Sequence, residues 1–133
     1  MTKDEYKRRI VVYKHYFIEF KKTLSLGTLK KIYQIFLYIM TIDYIPANYM
    51  KAIKGVPGLY EIRIEDNGNL YRIFCCFDEG NLVVLFNAFQ KKTQKTPRSE
   101  IDKARMIMKD FFENKKRLQV WRIIIWNNNP WRR

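Results

Sequence analysis

The sequence predicts one small α+β domain in which two N-terminal helices and a C-terminal helix pack on a small, mainly antiparallel sheet. Three observations carry that prediction. The segments LYEIRIE, LYRIFCCF and LVVLFNAF, at 59–65, 70–77 and 82–89, are rich in aromatic and β-branched residues and are divided by the turn formers DNGN and DEGN. Upstream, Leu29, Ile32, Ile35, Phe36, Ile39 and Met40 fall on one face of a helix. Downstream, Ile101, Ala104, Met108, Phe111 and Phe112 mark a second amphipathic helix. At 133 residues, 47% of them apolar and 16% aromatic, the chain is long enough for one hydrophobic core and too short for two comfortable ones.

In chain order, RRIVVY at 8–13 predicts a short strand. KHYFIEFKKTL at 14–24, with Tyr16, Phe17 and Phe20 at helical spacing, predicts the first helix. Thr28 is placed as N-cap of the second helix, which has to stop before Pro46. A loop occupies 51–58, and the three strands then form an antiparallel meander. Asn67-Gly68 suits a type I′ two-residue turn, and Glu79-Gly80 is assigned the same geometry. Beyond Pro97, Ser99 with Asp102 resembles a capping box opening the last helix. The domain is assigned to 1–115. The tail 116–133, KRLQVWRIIIWNNNPWRR, holds all three tryptophans; its Val120–Trp126 segment reads as an extra edge strand or as a partner surface, and a displaced stop codon is an equal account of the tail.

Charge bounds the partners. Twenty-six Lys and Arg against thirteen Asp and Glu give +13, a self-repulsion relieved by a polyanion, with nucleic acid as the leading class. The most apolar stretch, at 32–45, contains Gln34 and Asp43 and falls short of the roughly 20 residues needed to cross a bilayer. No membrane association and no secretory leader are expected, and the two adjacent cysteines offer neither a disulfide framework nor metal-ligand spacing. Cytoplasmic residence is the resulting expectation. Cys75 and Cys76 should point to opposite faces of their strand as packing residues, and His15, the single histidine, reads as a surface or boundary residue.

The cations concentrate after the third strand, where Lys91, Lys92, Lys95 and Arg98 follow one another with no acid between Glu79 and Glu100. Hairpin register adds two more. With Asn67-Gly68 as the turn, Arg63 faces Arg72, a pair of like charges that destabilises a sheet. The same step at Glu79-Gly80 sets Arg72 opposite Asn87 and Leu70 opposite Phe89. One exposed face then carries Arg63, Arg72, Asn87, Phe89 and Lys91, while Val84, Phe86 and Ala88 join Ile62, Ile64 and Ile73 on an apolar face that takes the helices. Guanidiniums, an ammonium, an amide and a ring make a site for a phosphodiester and a stacked base. For Arg63 alone, a surface ion pair with Glu61 or Glu65 on its own strand is an equal account.

The run from Lys54 to Ala104, with its Leu-Tyr-Glu-Ile-Arg strand, Tyr-Arg-Ile strand and Phe-x-Lys-Lys-Thr-x-Lys-Thr-Pro signature, resembles the HigB branch, phage-derived members included, of the RelE/ParE toxin superfamily. The resemblance spans roughly 8–115 and implies a RelE-like fold. It further implies a toxin of a type II toxin-antitoxin system that cuts mRNA on the ribosome and is neutralised by a cognate antitoxin, often of the helix-turn-helix type. Carried over, the basic set is Arg63, Arg72, Lys91 and Lys92 for catalysis, with Lys54, Asn87, Phe89, Lys95 and Arg98 on the RNA. Where several relatives carry a histidine, this chain has Asn87.

Attack of a 2′-OH on its neighbouring phosphorus needs a proton acceptor, cations for the phosphorane charge and a proton donor for the leaving 5′-oxygen. It needs no metal or cofactor. A lysine among other cations has its neutral form favoured, which makes Lys91 or Lys92 the candidate base and the arginines the clamp. Two other functions stay open, a ParE-like inhibitor of gyrase and a non-catalytic RNA- or ribosome-binding module.

Overall fold

A computed structural model describes residues 6–115. The elements run β1 (Arg9–Val12), α1 (Tyr16–Lys21), α2 (Leu26–Thr41), β2 (Met50–Ala52), β3 (Tyr60–Asp66), β4 (Asn69–Asp78), β5 (Leu82–Lys91) and α3 (Arg98–Asn114). They build an α+β architecture of three helices on a five-stranded mixed sheet of order β1-β5-β4-β3-β2. The expected meander is its centre. β1 extends it in parallel alongside β5, and β2, at the start of the segment expected to be loop, adds an antiparallel edge to β3. The tail assigned to 116–133, with its Val120–Trp126 segment, lies outside the described residues.

Both faces of the sheet are covered. Ile62, Ile64, Ile73, Cys75, Val83 and Leu85 pack with Ile32, Phe36 and Ile39 of α2 and Phe17 of α1. Phe74, Cys76, Val84 and Phe86 pack on the other side with Ala104, Ile107 and Phe111 of α3. Truncating one such ring, Phe111→Ala for example, costs about 3–5 kcal/mol through lost burial and the cavity left behind. Cys75 and Cys76 divide between the two cores as strand alternation requires, and burial pushes the Cys76 thiol up to about 12.

Register decides the rest. In the first hairpin Asp66 pairs with Asn69 and Arg63 with Arg72, while Asn67 and Gly68 take φ of 53° and 81°, the left-handed pair a type I′ turn requires. The second hairpin departs from expectation. Asp78 pairs with Leu82, leaving Glu79, Gly80 and Asn81 as a three-residue loop with φ of 70° at Gly80 and 61° at Asn81. That shift of one residue puts Val84 and Phe86 on the α3 side instead of beside Ile62 and Ile73. A bulge then sets Phe74 against both Phe86 and Asn87, since Ile73 pairs with Ala88 and Cys75 with Leu85. The second shift cancels the first. Beyond the bulge Arg72 pairs with Phe89 and Leu70 with Lys91, two residues from the expected partners but on the expected face.

Both helix starts also differ. Ser25, not Thr28, caps α2 with an extended backbone, its Oγ accepting from the Thr28 N–H at 3.2 Å. α3 opens at Arg98 after Pro97 without a side-chain cap, and Asp102 spends its carboxylate on Arg98 at 3.5 Å and Arg105 at 4.0 Å.

Candidate active site

β3 and β4 bring Arg63 and Arg72 side by side, and a carboxylate stands between them. Glu61, two residues before Arg63 and therefore on the same strand face, lies 3.7 Å from Arg63 Nε and 3.8 Å from Arg72 Nε. The Glu61 and Arg72 side chains are only 8% and 5% exposed, whereas that of Arg63 is 30% exposed. Arg72 is therefore not on an open face as its alternation predicts. It forms the floor of the cluster, donates from Nη1 to the Tyr71 carbonyl at 3.1 Å, and keeps a buried Nε–H without a hydrogen-bond acceptor among the described residues. Its pKa is lowered, first by burial and then by the charge of Arg63, with Glu61 opposing.

β5 adds Lys91 to the same group. Its pKa is lowered by burial and by Arg72, with Glu61 raising it and Arg63 lowering it again, so these four side chains form one electrostatic unit. Phe89, cross-strand from Arg72, lies parallel to Phe74 at 5.9 Å between ring centroids, with one side on the core. The segment after β5 folds back over the group, and Thr96 Oγ1 donates to Glu61 Oε1 at 3.4 Å. Lys92 and Lys95 are exposed on that segment.

The other expected residues separate from the cluster. Asn87 is buried, not surface-exposed, because the bulge turns it under α3, where its Nδ2 donates to the carbonyl of Glu100 at 3.3 Å and to its carboxylate at 3.2 Å. Arg98 is paired with Asp102 on the first turn of α3. Lys54 is exposed on the β2–β3 turn. His15 is exposed, stacked on Tyr16 at 4.6 Å. Sequence reasoning missed Glu61 as a central residue. Its i, i+2 spacing to Arg63 was visible, but its burial and its diagonal approach to Arg72 follow from the sheet.

Among the described residues, no three His, Cys, Asp or Glu side chains gather as a metal site would require, and no helix is long and apolar enough to cross a membrane. What the cluster offers is cationic. A partly exposed guanidinium and a lysine of depressed pKa stand over a buried guanidinium, with one carboxylate as the internal counter-ion.

A small α+β domain with a cationic cluster on its sheet is the class this geometry defines, and it is compatible with a small RelE-like domain. Residues 20–109 match the family described as Phage derived protein Gp49-like (DUF891), and the chain belongs to that family, a toxin-like one related to RelE and HigB. The matched span runs from α1 into α3 and includes every residue of the cluster. A search of curated proteins finds no match to the chain.

Proposed function

We propose that this protein is the toxin of a type II toxin-antitoxin pair and cleaves mRNA on the ribosome by metal-independent attack of a 2′-OH on the adjacent phosphorus. The observation that carries this is the convergence of Arg63, Arg72 and Lys91 on the single carboxylate of Glu61. A scissile phosphate entering the cluster competes with Glu61 for the guanidiniums. Arg63, the more exposed, is placed to touch its oxygens as negative charge grows on the phosphorane. Arg72 acts from beneath as a positioning residue, because it holds Glu61 and lowers the pKa of Lys91.

Lys91 serves as the proton acceptor. Burial first, and then repulsion from two guanidiniums, favours its neutral form, which takes the 2′-OH proton as O2′ bonds to phosphorus and the bond to the 5′-oxygen breaks. The 5′-oxygen receives a proton from a donor in the ribosomal complex. Lys92, Lys95, Arg98 and Lys54 supply sequence-independent attraction for the RNA backbone, and Phe89 a ring beside the phosphate. The partners are then mRNA in the ribosome and a cognate antitoxin, of the helix-turn-helix type, that neutralises the basic surface.

Primer extension on cellular messages after induction tests this. Discrete new 5′ ends that vanish in Lys91→Met, with folding intact, are expected. Growth arrest with intact messages and poisoned gyrase would refute it in favour of a ParE-like toxin.

A further inference from the structure

On the opposite side of the sheet, at the same end as the cluster, an open groove of about 550 Å³ lies between the α1–α2 junction and the β3–β4 hairpin. Its apolar wall includes Phe20 and Tyr71, whose rings meet edge to face at 6.2 Å. Its rim is amide and carboxylate: Asp66, Asn69 and Gln90. Asp66 Oδ2 accepts from Thr28 Oγ1 at 2.9 Å, and Thr28 Oγ1 in turn accepts from Ser25 Oγ at 3.1 Å, which anchors the carboxylate to the start of α2. Among the described residues, none donates to Oδ1. Gln90 Nε2 donates to Asn69 Oδ1 at 3.2 Å, which orients the Asn69 amide and leaves its Nδ2 hydrogens for another acceptor.

We infer that this groove is a guanine-selective base pocket that reads a nucleotide neighbouring the scissile phosphate. An aromatic wall under a hydrogen-bonding rim is how proteins hold unstacked RNA bases. Asp66 selects among them. An anchored carboxylate accepts the N1–H and the exocyclic amine of guanine together, and the Asn69 amide donates to its O6. Adenine would set its N1 lone pair against the carboxylate, and the pyrimidines, which can reach carboxylate and amide together, offer the carboxylate one donor where guanine offers two. The connection to the cluster is covalent. Gln90 and Lys91 are consecutive on β5, cross-strand from Tyr71 and Leu70, so one faces the groove and the other the arginines. A strand of RNA bent over this end of the sheet places a base on one side and a phosphate on the other. The link to a cut site rests on the nuclease function proposed above, whereas base selectivity does not.

The experiment titrates the full ¹⁵N-labelled chain with GMP, AMP, CMP and UMP, which share a phosphate and differ in the base, with inorganic phosphate as control. Expected are saturable shifts of the Asn69 and Gln90 side-chain amides with GMP, at least about tenfold tighter than with the other three, as charge-assisted pairing to one base edge supplies. Asp66→Asn, which keeps an oxygen for Thr28, should equalise the four, and Gln90→Met provides a second variant that leaves the hairpin turn untouched. Equal response to all four nucleotides, response to phosphate alone, or discrimination that survives Asp66→Asn overturns the inference. Mapped cut sites supply the second arm: a guanine bias beside the cut, lost in Asp66→Asn, is expected, and cutting without that bias also overturns it. If the wild-type chain cuts no message, the nuclease function fails by itself while the GMP titration still decides the pocket.

Discussion

Replacing Arg72 by methionine removes the guanidinium at the floor of the cluster and leaves Glu61, 8% exposed, without its buried partner. Removing one member of a buried ion pair typically costs about 3–5 kcal/mol, most of it the penalty of a carboxylate left uncompensated. Two features move this case to the lower end. The Arg72–Glu61 contact, at 3.8 Å, is longer than a charge-assisted hydrogen bond, and Glu61 keeps Arg63 at 3.7 Å and the Thr96 hydroxyl at 3.4 Å. We expect about 3 kcal/mol, or about 12 °C in Tm at roughly 4 °C per kcal/mol for a domain of this size. Glu61→Gln strands Arg72 beside Arg63 and Lys91 and should cost a similar amount. The double variant Glu61→Gln/Arg72→Met buries no uncompensated charge, so its loss should fall short of the sum by about 2 kcal/mol. Urea unfolding followed by far-UV circular dichroism measures all three, provided the m-values agree. Additive single losses, or a loss below about 1 kcal/mol for Arg72→Met, would refute the buried counter-ion and return Arg72 to the surface role that strand alternation suggests.

Single-turnover cleavage should rise with pH until Lys91 deprotonates, in a range below the ordinary lysine value because its folded pKa is lowered; a flat profile, or the same profile in Lys91→Met, would remove it as the base. The same depression makes charged Lys91 unfavourable in the fold. That penalty is fully present below the folded pKa and disappears as pH rises from there to the ordinary 10.5, so Lys91→Met should stabilise at neutral pH and lose that effect only as pH approaches 10.5. Arg8→Ala should cost about 1–2 kcal/mol in thermal unfolding, because Arg8 donates to the carbonyls of Ile39, Ile42 and Asp43 at 2.7–2.8 Å, at the C-terminal end of α2, whose own last turn has no basic residue. Asp110 accepts from Lys14 at 2.8 Å and from the Tyr13 hydroxyl at 2.6 Å, and these bonds hold its pKa below the ordinary 3.8. Its contribution is present above 3.8 and lost as pH falls through the folded value. Tyr13→Phe should therefore destabilise at neutral pH and narrow its deficit in acid melts.

Much of the fold can be read from local pattern. Asn67-Gly68 admits a type I′ turn because both residues tolerate positive φ, and one two-residue turn determines every pairing of β3 with β4, including Arg63 with Arg72. The helical face at 29–40 is set by spacing alone, and so are Ala104 and Phe111 of the last helix, although there Ile107 is buried where spacing did not place it and Phe112, expected inside, is 44% exposed. Those features depend on neighbours in the chain. The departures arise where distant segments compete. Glu79-Gly80-Asn81 closes as a three-residue loop, and the slip it introduces is reversed only because the chain bulges at Phe86 and Asn87, where Phe86 packs against Phe111 of α3 and Asn87 bonds Glu100. No period in the sequence marks that second shift.

The sequence by itself determined that Arg63 stands cross-strand from Arg72, since one two-residue turn sets that pairing, whereas Lys91 reaches the same face only because the bulge reverses the slip of the second loop. Only the tertiary structure decided which of them meets solvent. Burial depends on what covers a strand: α3 takes Asn87 through Glu100, and the returning 92–97 segment reaches Glu61 beside the buried Arg72 while leaving Lys92 and Lys95 exposed. Glu61 shows the same division: its side of the strand is legible at i, i+2 from Arg63, but its place between two guanidiniums required β4 to bring Arg72 diagonally against it, a contact made by the sheet and by no stretch of sequence.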